Sequence, residues 1–188
     1  MKLILIRHGR TEANERHLYC GSTDLPLSER GRRELQALRE AGALPPMDGV
    51  RIITSGALRC RETLTELYGE LSHETEPDFR EMDFGDFEMR SYEEMKNDPA
   101  YTAWITGDNE ANVTPGGESG NQMKARVLAA LERVMEDDRP AAVFTHGGVI
   151  AAIMDRLFPG EGKNRYQWQP EPGRGYVIDT EAGTYMAI

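Results

Sequence analysis

Apolar residues in this chain follow two rhythms. Short unbroken runs, such as Leu3-Ile4-Leu5-Ile6 and Ala141-Ala142-Val143-Phe144, alternate with stretches where apolar positions recur every three or four residues. Runs of that length predict strands, and the slower rhythm predicts amphipathic helices. The predicted order begins with a strand at 2–6, a helix from Ser28 to about Ala41, a strand at 50–54 and a helix at 58–68. A short strand at 76–79, a strand at 141–145, a helix at 149–157 and two strands around a turn at 181–183 follow. Ser28 and Ser55 are candidate N-caps, and Gly42 with Pro45-Pro46 ends the first helix. Ser91…Glu94 and Ser119…Gln122 read as capping boxes, the second opening a helix with Met123, Val127, Ala130, Leu131 and Val134 on one face. Strands alternating with helices imply a mostly parallel sheet covered on both faces, a three-layer α/β/α sandwich.

Length and charge narrow the picture. The 188 residues predict one domain, 1–188, in which the least regular stretch, around 84–119, forms a short cover. A net charge of −10 argues against a nucleic-acid partner. No apolar stretch approaches the roughly 20 residues of a membrane span, and the first residues are too few for a secretory signal, so a cytoplasmic location is expected. Cys20 and Cys60 form no CxxC pair and are expected as reduced thiols.

Candidate chemistry gathers where strands end. Arg7-His8 follows the first strand, Ser55 to Arg59 the second, and His146-Gly147-Gly148 the strand at 141–145. In a parallel sheet these three segments meet at the carboxyl edge, where ligands bind. Helix starts at that edge add free N–H groups and a positive dipole end. Two histidines and two arginines meeting there make an anion pocket containing a nucleophile.

These residues resemble the histidine phosphatase superfamily, also called phosphoglycerate mutase-like. The resemblance rests on Leu5-Ile6-Arg7-His8-Gly9-Arg10-Thr11-Glu12-Ala13-Asn14, on Ser55-Gly56-Ala57-Leu58-Arg59 with Cys60-Arg61-Glu62-Thr63, and on Glu81-Met82-Asp83-Phe84-Gly85. Pro115-Gly116-Gly117-Glu118-Ser119 and Thr145-His146-Gly147-Gly148 complete the set in the family's order. The resemblance implies that His8 attacks phosphorus to give a phosphohistidine, and that Arg7, Arg59 and His146 hold the phosphoryl oxygens, His146 as a cation. Asn14, Thr11, Gly21 and Gly147 would add phosphate or substrate contacts. Glu81 would protonate the leaving oxygen, with Asp83, Asp86 and Glu88 as nearby alternatives. No metal and no cofactor are implied, and the partner would be a small phosphorylated metabolite. Arg61, His17 and His73 carry no expected role.

Rival classes lack their signatures. A cysteine phosphatase needs Cys-x₅-Arg, which neither cysteine begins, and no GxxxxGK[ST] occurs. A zinc site lacks a short-spaced ligand pair. Within the family, mutases carry a longer insertion between the acid and the second histidine. Only 65 positions separate Glu81 from His146 here, which favours hydrolysis over phosphoryl transfer. The alternatives are a mutase-type phosphotransferase and a non-catalytic phospholigand-binding member. Tyr19-Cys20-Gly21-Ser22-Thr23-Asp24-Leu25-Pro26-Leu27-Ser28 is similar to the α-ribazole phosphatase branch, which suggests α-ribazole 5′-phosphate as a substrate. Arg10, Gly56 and Met89 depart from the family pattern, where Glu or Gln, proline and glycine are frequent. Arg10 is expected to face solvent.

Overall fold

The structure, a computed structural model, describes residues 1–108 and 110–188. Asn109, within the expected cover, lies outside the described residues. The strands are β1 (Lys2–Arg7), β2 (Arg51–Thr54), β3 (Glu74–Thr75), β4 (Ala141–Thr145), β5 (Gly175–Asp179) and β6 (Thr184–Ala187). The helices are α1 (Glu12–Glu15), α2 (Glu29–Glu40), α3 (Leu58–Tyr68), α4 (Tyr92–Met95), α5 (Pro99–Thr106), α6 (Gly120–Glu136), α7 (Gly147–Leu157) and α8 (Arg165–Trp168).

Among the described residues the strands form one sheet in the order β3-β2-β4-β1-β5-β6. β1, β2, β3 and β4 run parallel, while β5 and β6 add an antiparallel edge. Alternate side chains of β1 enter opposite cores. Leu3 and Leu5 pack with α6 and α7, whereas Ile4 and Ile6 pack with Leu35 of α2 and Cys60, Leu64 and Leu67 of α3. This two-sided burial explains why the strand reads as an unbroken apolar run, and it makes the three layers.

α6 buries the predicted face of Met123, Val127, Ala130, Leu131 and Val134, and both predicted capping boxes form. Three local expectations are corrected. The chain at 76–79 is no strand: Pro77–Phe79 is a 3-10 turn, because Pro77 lacks an N–H and the Glu76 side chain accepts from the Asp78 N–H. Ser55 does not cap α3; Asp24 Oδ1 accepts the Leu58 N–H at 2.7 Å instead. α7 begins at Gly147, two residues earlier than expected, with His146 extended at its N-cap position.

The cover contains α4 and α5 and is held by aromatic packing. Tyr19, Phe84, Phe87, Tyr101 and Trp104 meet ring to ring, and the Tyr19 and Tyr101 hydroxyls hydrogen-bond at 2.7 Å. The Met89 N–H donates to the Tyr19 carbonyl at 2.7 Å, joining the cover to the loop that precedes α2.

Candidate active site

β4 lies between β1 and β2, so the residues that follow these three strands converge. Arg7 stands opposite Thr145 in the parallel register, and the His8 N–H donates to the Thr145 carbonyl at 2.9 Å. His8 and His146 are therefore neighbours by strand pairing, with ring centroids 5.2 Å apart. α3 brings Arg59 to the same place from β2, and the residue is 2% exposed. A buried guanidinium needs several acceptors to offset its lost hydration. Arg59 finds the Thr23 carbonyl at 2.9 Å, the Gly21 carbonyl at 2.8 Å and His146 Nδ1 at 3.2 Å.

The hydrogen bonds define the state of both rings. His8 Nδ1 lies 2.7 Å from the Gly9 carbonyl, an acceptor only, so Nδ1 carries the proton and Nε2 keeps its lone pair. Arg59 has no acceptor atom, so His146 Nδ1 must be unprotonated and the ring neutral. Burial, followed by the charges of Arg59 and Arg7, holds His8 well below the ordinary imidazole range. Burial, then Arg59, His8, Arg7 and Arg126, does the same to His146. The cationic His146 expected from sequence is thus a neutral ring in this structure.

Arg7 reaches the site from β1. Its Nη1 donates to the Pro170 carbonyl at 2.7 Å, while its buried Nε has no partner among the described residues. A side chain built on Gly147 would press within 3.2 Å of this Nε, so the glycine leaves the guanidinium its space. Burial lowers the Arg7 pKa, and the nearby Glu81 opposes that effect.

Glu81 is the carboxylate that reaches α7. Its Oε2 accepts the Gly148 N–H at 2.9 Å and its Oε1 the Met82 N–H at 3.0 Å. A Cβ on Gly148 would collide with this carboxylate, so only glycine allows the approach. The alternative acids are engaged elsewhere. Asp83 Oδ1 accepts from Ser22 and Gly85, and Asp86 is exposed. Glu88 accepts from the N–H groups of Gly21, Ser22, Thr23 and Phe84 and from the Thr23 hydroxyl.

The remaining expected contacts divide. Thr11 and Asn14 form the α1 capping box, in which Asn14 Oδ1 accepts the Thr11 N–H at 2.9 Å and its hydroxyl at 3.0 Å. Thr11 thereby spends its donors on Asn14 and orients it, leaving the Asn14 amide NH₂ without a partner among the described residues. Gly21 lines the pocket beside Arg59 and His146, but Glu88 takes its N–H and Arg59 its carbonyl. Arg10 turns away to Glu34 at 3.1 Å. Arg61 is exposed, as are His17 and His73.

Two positioning groups escaped the sequence reading. Arg126 of α6 donates to the carbonyls of Asp78 and Arg80 at 2.7 Å and of Glu81 at 2.9 Å, and pairs with Glu118. It pins the backbone that carries Glu81. Glu88 pins the loop whose carbonyls hold Arg59. Neither follows a residue pattern visible in sequence, since each binds main chain. Beyond Gly148 a groove of about 480 Å³ opens, with Met123, Ala151 and Ala152 among its apolar lining and Lys163 and Arg165 among its cations.

Comparison with known proteins agrees with this arrangement. The profile described as the Histidine phosphatase superfamily (branch 1) matches residues 3–186. An adenosylcobalamin/alpha-ribazole phosphatase of Salmonella typhimurium is 31% identical over 185 residues, covering 95% of this chain and 90% of that protein. A solved Escherichia coli structure, assigned as an alpha-ribazole-5′-P phosphatase, superposes with a TM-score of 0.85 at 27% identity. That match covers 100% of this chain and 94% of the other. A phosphoglycerate mutase structure from Thermus thermophilus is 33% identical, with a TM-score of 0.74, and covers 95% of this chain and 93% of the other.

Proposed function

The chain belongs to the histidine phosphatase superfamily, and from that premise we propose that it hydrolyses small phosphomonoesters through a phosphohistidine on His8. The observation that carries this reading is the His8 tautomer. Its Nδ1 proton is committed to the Gly9 carbonyl, which leaves the Nε2 lone pair for phosphorus beside the Arg7 Nε, which has no partner among the described residues.

In the first step His8 Nε2 forms a bond to phosphorus while the ester P–O bond breaks in line. Glu81 gives its proton to the departing oxygen. Arg7 and Arg59 meet the charge that spreads over the other three oxygens, His146 orients Arg59, and the Asn14 NH₂ adds a neutral donor. In the second step water attacks the phosphohistidine, Glu81 takes the proton, and the His8–phosphorus bond breaks to release inorganic phosphate. In-line geometry places the leaving group on the Glu81 side, where Gly148 also borders the 480 Å³ groove. That groove suits a leaving group with an apolar body and polar edges.

Hydrolysis is favoured over phosphoryl transfer by the shortness of the cover, since only 65 positions separate Glu81 from His146. α-Ribazole 5′-phosphate is the proposed substrate because the similar Salmonella protein is an alpha-ribazole phosphatase. The test is phosphate release from a metabolite panel that includes α-ribazole 5′-phosphate, alongside 3-phosphoglycerate supplied with its bisphosphate primer. Phosphate release that disappears in His8→Ala is expected. Isomerisation of 3-phosphoglycerate faster than phosphate release would overturn the reading.

A further inference from the structure

Two buried residues behind the site have no task in the reaction above. Ser55 and Cys60 are both 0% exposed, and both lie against the far side of the His146 ring. Ser55 Oγ is 2.9 Å from His146 Nε2, and Cys60 Sγ is 3.7 Å from the same nitrogen. We propose that Ser55 and Cys60 are positioning residues, which lock His146 with its proton on Nε2 and its Nδ1 lone pair towards Arg59 and the pocket.

The direction of every bond follows from the two ends of the chain of contacts. At one end stands Arg59, which can only donate, 3.2 Å from Nδ1. A neutral ring that accepts at Nδ1 must donate from Nε2, so the Ser55 oxygen accepts. The same oxygen accepts the Ala57 N–H at 3.4 Å, which fills its second lone pair. Its own proton then goes to Cys60 Sγ at 3.3 Å, and the thiol donates to the Thr145 carbonyl at 3.6 Å. A carbonyl can only accept, so the series ends there with no freedom left. Burial pushes the Cys60 thiol up to about 11, which keeps its proton in place as the last donor. With Ser55, Cys60, Thr145 and His146 all fully buried, water does not compete for these bonds.

The sequence explains why Ser55 is available. It precedes α3 and would cap it, but Asp24 takes the Leu58 N–H. The Ser55 hydroxyl is thereby released to the histidine. Its consequence for catalysis rests on the phosphatase reading. With the proton held on Nε2 behind the ring, the Nδ1 lone pair accepts from Arg59 and aims that guanidinium at a phosphoryl oxygen.

Long-range ¹H–¹⁵N NMR of the imidazole resonances, with His146→Gln to assign the signals, reads the tautomer directly. The expected wild-type spectrum has His146 protonated on Nε2, with a slowly exchanging proton. Cys60→Ser, which keeps an O–H in the series, should retain that signal and the activity. Ser55→Ala should lose it, and kcat/KM for p-nitrophenyl phosphate should fall about tenfold, as expected when one buried donor loses its partner. A wild-type proton on Nδ1, or a Ser55→Ala protein with the same Nε2 signal and the same kcat/KM, overturns the proposal. The spectrum is independent of turnover, so an inactive wild-type protein that shows the Nε2 proton would sink the phosphatase reading and leave the tautomer lock standing.

Discussion

Replacing Glu88 with alanine should weaken both the fold and the site, and the size of each effect follows from what its carboxylate holds. It accepts from the Gly21 N–H at 3.0 Å, the Ser22 N–H at 3.0 Å, the Thr23 hydroxyl at 2.7 Å and the Phe84 N–H at 3.0 Å. Hydrogen bonds to a charged group contribute roughly 1.5 kcal/mol each, net of solvation. The Ser22 and Thr23 groups can turn to water, so the loss falls mainly on Gly21 and Phe84, about 3 kcal/mol together. For a chain of this size that lowers Tm by roughly 6–12 °C. The same loop offers the Gly21 and Thr23 carbonyls to Arg59, so a loosened loop releases that guanidinium from its geometry. At a temperature where the variant is folded, kcat/KM should fall by at least about tenfold, roughly 1.4 kcal/mol of transition-state stabilisation. Differential scanning calorimetry and phosphate release read the two effects. A Tm within about 2 °C of wild type and kcat/KM within about twofold would show that Glu88 organises neither loop nor arginine.

Four further outcomes are expected. Both buried imidazoles have lowered pKa values, so below the ordinary value of 6.5 the unfolded chain takes up protons that the folded chain refuses. Stability should be unaffected by them above about pH 7.5 and fall towards pH 5.5, by up to about 1.4 kcal/mol per pH unit for each ring. Urea unfolding of wild type and His146→Gln should show a shallower acid loss in the variant; equal slopes would refute the linkage. Met89 holds a left-handed φ of 59°, so Met89→Gly should stabilise by about 0.5–1 kcal/mol in the same assay. Gly56, at φ 83°, should lose at least about 3 kcal/mol as Gly56→Pro, whose ring demands the opposite sign of φ. Phosphate release should persist after dialysis against EDTA; activity that is lost and then restored by a divalent ion would exclude the metal-free route.

The layers, the strand ends and their candidate residues were legible because each rests on a local pattern. β1 and β4 are unbroken apolar runs, and their parallel pairing alone makes neighbours of His8 and His146. Met89 and Gly56 also showed as departures, and both occupy positive-φ positions. What escaped depends on partners distant in sequence. Ser55 looks like a cap until Asp24, 34 positions from Leu58, takes that role. Arg126 and Glu88 bind backbone groups, which carry no residue signature. α5 also escaped, although Asp98 accepts from the Ala100 N–H and Pro99 occupies the first turn, a start signal that its polar approach obscured. The neutrality of His146 needs the Arg59 contact, which only the packed α3 provides.

The in-register pairing of β1 with β4 has an evolutionary reading as well. A slip of one residue between these strands would turn every side chain to the opposite face, so the spacing of His8 and His146 is guarded by the whole core. The cover shares in that core, since Phe87, Met95, Tyr101 and Trp104 are buried in the same cluster as Leu3 and Leu5. The histidine pair can thus stay fixed while positions outside the strand register drift. Among those positions, Lys163, Asn164 and Arg165 border the groove beyond Gly148, so exchanging them varies that groove without touching the paired histidines.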